Sequence, residues 1–226
     1  AKGDHGIYHT ASPGCRHIGE VVWGNGDDGI ALKNASTSTV LYNCIVTDNG
    51  LGHTAYDVYI DTTSTLGITP DHNVIWNSNA QASVKYGKKV YETVTDFAWA
   101  TLLDTHSIAA DPMLLDPAHG NFRLIEGSPA IDCANSQVPG WPAADADGRP
   151  RSDDLATPNT GVGPVVYADR GACEFAPAGS RPVARLAVNP RLGLLPLTTN
   201  LDATASNDPD GRILWYSFDF GDGRRA

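Results

Sequence analysis

The chain has 226 residues, of which 41% are hydrophobic and 19% are charged, and this apolar content is enough for the core of one large or two small domains. Its 23 glycines and 15 prolines are interleaved with Val, Ile, Thr, Tyr and Trp, a mixture typical of short strands joined by turns. The formal net charge is −10, and the excess acid lies before residue 180, which argues against nucleic acid and anionic lipid as partners. No apolar run is long enough to span a membrane.

Two families of strand-like segments recur along the first third of the chain. The first family consists of His5-Gly6-Ile7-Tyr8-His9, Asp28-Gly29-Ile30-Ala31-Leu32 and Tyr56-Asp57-Val58-Tyr59-Ile60. The second consists of Val21-Val22-Trp23-Gly24-Asn25, Ile45-Val46-Thr47-Asp48-Asn49 and Ile75-Trp76-Asn77-Ser78-Asn79. Both families recur at intervals of roughly 20 to 30 residues, which is typical of a solenoid with stacked turns.

The absence of a Leu-rich consensus and the Asn and Gly residues at the corners favour one kind of solenoid, a parallel β-helix. Asn25, Asn49 and Asn79 then occupy equivalent corners. Either their amides hydrogen-bond to one another along the axis, or they simply tolerate left-handed turn geometry. Both interpretations are structural.

The first strand family also predicts an outward face. Strand alternation with Ile7, Ile30 and Val58 pointing inward defines this face. The residues placed on it are Tyr8, Ala31, Tyr59, Thr10, Lys33 and Asp61. Tyrosines beside a Lys and an Asp suit sugar-ring stacking with polar contacts, so Tyr8, Tyr59 and Asp61 are candidate substrate-binding residues. The alternative is ordinary packing between strands on a solvated sheet.

A helix is predicted between Val90 and His106, because Thr93-Val94-Thr95-Asp96 has the pattern of a capping box before an apolar segment. A series of short motifs follows: Asp111-Pro112, Asn121-Phe122-Arg123-Leu124, Ser128-Pro129-Ala130-Ile131-Asp132, Asp147-Gly148-Arg149-Pro150-Arg151 and Asp169-Arg170-Gly171-Ala172-Cys173-Glu174. In this order the motifs closely resemble the end of bacterial secreted right-handed parallel β-helix proteins. The resemblance implies an all-β fold in which residues 1–176 form the last coils and the cap of the β-helix.

Residues 177–182 have the composition of a linker, and residues 183–226 resemble the first half of a PKD domain, an immunoglobulin-like β-sandwich. The motifs that carry this second resemblance are Leu201-Asp202-Ala203-Thr204-Ala205-Ser206, Asp208-Pro209-Asp210-Gly211 and Trp215-Tyr216-Ser217-Phe218-Asp219-Phe220-Gly221-Asp222-Gly223. The match stops at Ala226, before the later strands of such a sandwich. The chain opens on Ala1-Lys2-Gly3-Asp4 without the apolar segment of a signal peptide. We therefore expect a piece of a longer protein.

The β-helix resemblance implies candidate groups for chemistry. Polysaccharide lyases of this fold often use calcium to acidify the proton next to a uronate carboxylate, with Lys or Arg as the base. Calcium is therefore a candidate cofactor, with Asp27, Asp28 and Asp57 as candidate ligands. By the same analogy the candidate catalytic bases are Lys33, His53 and Lys85. The alternative for Asp27-Asp28-Gly29 is a tight turn, which these residue types favour.

The cysteines and histidines show no local metal-binding pattern. Four cysteines fit neither a zinc-site spacing nor a CxxC redox motif. We expect a disulfide between Cys133 and Cys173, which both lie in the irregular C-terminal segment, at positions where the β-helix pattern usually has small residues or Tyr. Cys15 and Cys44 are either a second bridge or two buried thiols. The seven histidines are scattered, without a metal-ligand spacing on a predicted element.

The sequence therefore predicts an extracellular or cell-surface protein that binds or degrades an acidic polysaccharide or cell-surface glycan. If the chain is an enzyme, a polysaccharide lyase or a glycoside hydrolase is expected. The alternative is a non-catalytic structural or adhesive β-helix with the PKD domain as a spacer, and the lack of a convincing acid/base pair favours that alternative. The fold alone does not decide between them.

Overall fold

The computed structural model describes residues 4–50, 55–79, 81–176, 182–194, 196–208, 213 and 216–220. The strands of the first part, in chain order, are β1 (Ile7–Thr10), β2 (Arg16–Ile18), β3 (Val21–Trp23), β4 (Ile30–Lys33), β5 (Val40–Tyr42), β6 (Ile45–Thr47), β7 (Val58–Ile60), β8 (Thr69–Asp71), β9 (Val74–Trp76), β10 (Val84–Tyr86), β11 (Lys89–Tyr91), β12 (Leu114–Asp116) and β13 (Asn121–Leu124). The helix α1 (Val94–Thr101) follows β11. The all-β prediction is confirmed in the sense of a mostly β chain built on parallel sheets.

Successive strands are distributed in turn over three parallel sheets. The first sheet has the order β1-β4-β7-β10, and β11 joins it antiparallel at the edge. The second sheet has the order β2-β5-β8, and the third has the order β3-β6-β9. The chain thus returns to the same sheet every three strands from β1 to β10, so neighbouring strands in a sheet come from successive passes of the chain.

The register of the first sheet is the predicted one. Ile7 pairs with Ile30, and Ile30 pairs with Val58. The row continues into a strand that the sequence pattern did not include, because Val58 pairs with Val84. Ile30, Val58 and Val84 are all buried in one apolar cluster. Their common burial confirms which face of this sheet points inward.

The third sheet differs from the sequence prediction by one residue. Ile45 pairs with Val74 and not with Ile75. Val46 and Ile75 belong to the same inner cluster as the first sheet. Ile45 and Val74 face the opposite way, into a second cluster that includes Leu124 from the later segment. Strands buried on both faces lack the apolar–polar alternation that normally reveals register in a sequence.

The predicted asparagine corner is right for two residues and wrong for the third. Asn25 Nδ2 donates a hydrogen bond to Asn49 Oδ1 at 2.8 Å, and Asn49 is fully buried. The one-residue shift leaves Asn79 exposed. Asn77 takes its place, because Asn77 Nδ2 donates to the backbone oxygen of Asn49 at 3.1 Å.

The predicted helix begins at its capping box. The Thr93 hydroxyl accepts a hydrogen bond from Asp96 N, and the Asp96 carboxylate accepts one from Thr93 N, each at 3.1 Å. Phe97 is buried, and its ring centroid lies 5.4 Å from those of Tyr86 and Tyr91. The helix therefore covers the inner core beside β10 and β11.

The segment after α1 packs on the outer face of the third sheet and begins with the antiparallel pair β12-β13. Gly171, within the Asp169-Arg170-Gly171 motif, has a φ of +90°, and a Cβ there would lie 2.6 Å from Ile45 Cδ1. Its backbone N–H donates to Asn43 O at 2.7 Å. The close approach of this motif to the sheet therefore requires a glycine.

The expected disulfide between Cys133 and Cys173 is not formed, and all four cysteines are free thiols. The Cys133 thiol donates to the backbone oxygen of Pro129 at 3.3 Å, whereas Cys173 lies beside Asp145 and Asp147. The two sulfur atoms thus have different neighbours, which the linear sequence does not show.

The chain divides into two compact units, residues 1–175 and 176–226. Within the second unit, β14 (Ala187–Asn189) pairs antiparallel with β15 (Asn200–Asp202). The linker and the PKD-like domain expected from the sequence stay predictions. In the part of the chain that the structure describes, no helix is long and apolar enough to cross a membrane.

Candidate functional site

The outward face of the first sheet carries an unbroken row of residues from four successive strands. Tyr8 of β1 pairs with Ala31, which pairs with Tyr59, which pairs with Lys85 of β10. Lys33, at the end of β4, pairs with Thr10. These residues lie side by side because parallel strands in register stack equivalent positions at the strand spacing.

Two lysines lie over the tyrosine rings of this face. Lys33 Nζ is 5.5 Å from the ring centroid of Tyr8 and 4.7 Å from that of Tyr59. Lys85 Nζ is 4.6 Å from the Tyr59 centroid and 5.4 Å from that of Tyr56. We call these five residues the Tyr–Lys face. At these distances each ammonium is attracted to the ring quadrupoles, so the face holds two positive charges in fixed positions.

The central residue of the row, Ala31, is fully buried although it points outward. It lies between Tyr8 and Tyr59 on the neighbouring strands. Tyr8 is 47% exposed at the edge of the sheet. The Lys33 ammonium lies over both of these tyrosine rings, so the small residue between them is covered by its larger neighbours.

Asp28 lies at the inner border of the Tyr–Lys face. Its Oδ1 accepts a hydrogen bond from Tyr56 N at 3.0 Å, and its Oδ2 lies 3.6 Å from Lys33 Nζ. Burial raises the pKa of Asp28, against the opposing effects of the Tyr56 N–H and the Lys33 ammonium. His5, whose ring stacks on Tyr8, places Nδ1 3.5 Å from the same Oδ2. A carboxyl group with a raised pKa beside an ammonium and an imidazole is a candidate for proton transfer.

Asp61, a predicted binding residue, accepts hydrogen bonds from two neighbouring turns. Its carboxylate accepts hydrogen bonds from Asn34 N at 2.7 Å and from the backbone and hydroxyl of Thr63 at 2.9 and 2.8 Å. Although burial acts in the opposite direction, these donors lower its pKa. Asp61 thus orders the turns of two successive passes.

The predicted base His53 lies outside the described residues.

The three predicted calcium ligands do not come together. Asp57 is fully buried away from Asp27 and Asp28, and its Oδ1 accepts from Asn49 N at 3.0 Å. The group that does form is His5, Asp27 and Asp28. A calcium ion takes oxygen ligands, whereas the third donor here is an imidazole nitrogen, and the Lys33 ammonium adjoins Asp28. These residues do not fit calcium, and no step is assigned to that ion.

Two parts of the candidate site were missed in the sequence. Tyr56 and His5 belong to the predicted strand family, but each precedes the paired residues of its strand, so alternation alone did not select them.

A second group was missed altogether. Asp71, His72 and His106 place one donor atom each within 4.8 Å of one another. Two are adjacent in the chain, but the third follows α1. A search for local ligand spacing therefore could not find them.

Comparisons with known proteins add no identification. The chain matches no protein-family model and no curated protein, and no solved structure matches it. The function proposed for this β-rich chain is therefore supported by its fold and by the Tyr–Lys face alone.

Proposed function

We propose that the chain is part of an extracellular right-handed parallel β-helix protein whose Tyr–Lys face binds an acidic polysaccharide. Three parallel sheets, each receiving one strand per pass of the chain, support the β-helix part of the proposal. The observation that carries the binding part is the position of Lys33 and Lys85, which lie 4.7 and 4.6 Å from the centroid of the same ring, Tyr59.

The chemistry of the face suits a chain of acidic sugars. Ammonium groups attract carboxylates and sulfates, and tyrosine rings offer apolar surface to sugar rings. Lys33 and Lys85 come from β4 and β10, two strands apart in the sheet, so their backbones lie about 9 to 10 Å apart along the stacking direction, and their ammonium groups approach the Tyr59 ring between them. Within the described residues Lys85 forms no ion pair with an acidic side chain. Two separated cations along one axis favour an extended polyanion over a small anion.

The chain carries a net charge of −10. The affinity for a polyanion must therefore come from short-range contacts with the two lysines and not from long-range attraction. A polyanion is repelled at a distance and attracted only where ammonium groups face it. We therefore expect modest affinity that falls with rising salt concentration as the lysine contacts are screened.

The binding test uses isothermal titration with oligomers of a polyuronate and with the same oligomers after methyl esterification. Replacing Lys33 and Lys85 together by alanine is expected to weaken binding of the acidic form by about 3-fold or more, since each contact to a charged group is worth at least a few tenths of a kcal/mol and up to about 3. The matched control replaces two exposed lysines, Lys88 in the turn after β10 and Lys89 at the start of β11, and is expected to leave affinity unchanged.

Equal binding of the charged and esterified oligomers would contradict the proposal, as would equal losses in the two double variants. No binding to any acidic glycan would favour the structural or adhesive alternative.

A second candidate function, cleavage of the bound glycan, is favoured by Asp28. Burial raises the pKa of Asp28, so its carboxyl group keeps a proton to higher pH than an exposed aspartate does, and it lies at the border of the Tyr–Lys face where a leaving glycosidic oxygen would accept a proton. The test follows the absorbance of unsaturated uronate for a lyase and new reducing ends for a hydrolase. If the parent chain cleaves the glycan and Asp28→Asn abolishes this activity while binding persists, cleavage at Asp28 is established. If the parent chain binds the glycan and leaves it intact, binding is the only function supported.

A further inference from the structure

The corner that follows β8 brings two imidazoles to one carboxylate oxygen. Asp71 Oδ2 lies 3.2 Å from His72 Nδ1 and 2.8 Å from His106 Nδ1. His106 reaches this corner from the turn after α1, and its backbone N–H donates to Asp71 Oδ1 at 2.9 Å. Three side chains from two separate passes of the chain thus direct one donor atom each toward the same point.

His72 is the residue that a hydrogen-bonding role does not explain. Its side chain is only 7% exposed, and its buried Nδ1 has no hydrogen-bond partner, although Asp71 Oδ2 is close. Its ring is held between two others, with centroids 6.2 Å from Tyr42 and 4.8 Å from His106, both stacked on it. A buried nitrogen without a partner is costly, and a ligand at this point would remove that cost.

The backbone around the two histidines is fixed by a buried polar network. Asn73 N donates to Ser107 Oγ at 2.7 Å, and Asn73 Nδ2 donates to Asp104 Oδ1 at 2.9 Å. Ser107 also donates to Asp104, and Arg170 donates to the backbone oxygen of Asn73 at 3.0 Å. The network joins the residue after His72 to the residue after His106. The donor atoms are therefore held in place by their surroundings, as in a preorganised site.

We propose that Asp71, His72 and His106 form a binding site for a divalent transition-metal ion of the zinc class. Two imidazole nitrogens and one carboxylate oxygen are ligands that such ions accept, whereas calcium and magnesium prefer oxygen alone. Bonds of about 2.1 Å in a tetrahedral arrangement place ligand atoms about 3.4 Å apart. The separations of Asp71 Oδ2 from the two imidazole nitrogens, 3.2 and 2.8 Å, are close to this value, and one donor atom from each of the three residues lies within 4.8 Å of the others.

The site is accessible from solvent and leaves coordination positions for water. The His106 side chain is 63% exposed, so an ion can enter from that side without unfolding the corner. Three protein ligands leave at least one position of a tetrahedral ion open. This corner ends a strand of the second sheet, whereas the Tyr–Lys face lies on the first, so metal binding here does not depend on the proposed glycan binding.

The test titrates the full chain, purified with a chelator and then freed of it, with Co²⁺ followed by visible absorption and with Zn²⁺ in competition. We expect one tight equivalent, with the d–d absorption of a low-coordinate nitrogen–oxygen site and no sulfur charge-transfer band. His106→Ala is the main variant, because the side chain is exposed and its removal should preserve folding. We expect it to weaken binding of the metal by at least about 10-fold.

A matched control variant is His119→Ala. His119 is also exposed and also lies beside one carboxylate, with Nδ1 2.9 Å from Asp116 Oδ1, but among the residues that the structure describes no second histidine joins that pair. This variant is expected to bind as the parent chain does. His72→Asn, which suits the left-handed backbone at φ +57°, is expected to lose affinity like His106→Ala while circular dichroism shows a folded chain.

Three results would overturn the proposal. The first is the absence of saturable Co²⁺ or Zn²⁺ binding. The second is equal affinity in the His106→Ala and His119→Ala variants. The third is loss of the binding on His5→Ala or Cys173→Ala, which would place the ion in one of the other two groups that bring potential ligands together, His5 with Asp27 and Asp28, or Cys173 with Asp145 and Asp147.

Discussion

Replacing Asn49 by alanine is expected to lower the free energy of unfolding of the first unit by about 3–5 kcal/mol. The Asn49 amide is fully buried, and it accepts from Asn25 N at 3.1 Å and from Asn25 Nδ2 at 2.8 Å. It also donates to the backbone oxygens of Val22 and Thr47, each at 3.0 Å. Truncation removes these bonds from the half-buried Asn25 and from the backbone of β3 and β6, and each polar group that is left buried without a partner costs about 1–3 kcal/mol.

The control for this variant is Asn79→Ala. The sequence pattern placed Asn79 at an equivalent corner, but the side chain is exposed, so we expect a change within about 0.5 kcal/mol. Urea titration of the full chain, followed by circular dichroism, measures both variants. Equal effects of the two substitutions would mean that the asparagine corner does not stabilise the stacked strands.

The stability of the first unit is expected to fall as pH rises from about 4 to about 7, and Asp57 is one cause that a single substitution can isolate. Burial raises the pKa of Asp57 from 3.8 to about 7, although Asn49 and other donors oppose the shift. Between these two values the folded state keeps a proton that the unfolded chain has released. The free energy of unfolding therefore falls with each unit of pH, until Asp57 is ionised in both states above about pH 7.

Other groups act in the same window with different signs. Burial also raises the pKa of Asp104 and of Asp132 to about 6 each, so these residues add to the loss of stability as pH rises. His17 opposes them, because burial and the nearby His9 lower its pKa to about 4. Its neutral form stabilises the fold above pH 6.5, and that stability is lost as pH falls toward 4.

Asp57→Asn separates the effect of Asp57 from these other groups, which are the same in both proteins. The asparagine cannot ionise, so the difference in free energy of unfolding between the variant and the parent is expected to shift in favour of the variant by about 3 kcal/mol between pH 4.5 and 7.5. Urea titrations at both pH values measure it. A difference independent of pH would show that Asp57 ionises normally in the folded chain.

The sequence was sufficient for one sheet because its strands alternate. Ile7, Ile30 and Val58 point inward and are followed by residues that point outward, so period and register could both be read from the residues. The second sheet was not predicted, because its strands share no pattern: β2 is Arg16-His17-Ile18, whereas β8 is Thr69-Pro70-Asp71. Pairing across such strands depends on the length of the turns between them and not on the residues themselves.

The candidate sites, like the sheets, were predictable from the sequence only in part. The outward placement of Tyr8, Lys33 and Tyr59 follows from strand alternation, and the structure adds Lys85 to the row of Tyr8 and Tyr59 because it pairs in register with Tyr59. The group around His72 could not be predicted from spacing, since His106 reaches it only through the turn after α1. Side chains that meet across successive passes of the chain become neighbours only when the stacking register is known.

The proposed acidic-polysaccharide face is tested most directly by acetylating the lysines of the full chain with and without a saturating polyuronate oligomer and measuring each site by mass spectrometry. We predict that the oligomer slows labelling of Lys33 and Lys85, which lie over the Tyr59 ring, and leaves Lys88 and Lys89 as reactive as before. Equal protection of all four lysines, or protection of none, would contradict a binding site on the Tyr–Lys face.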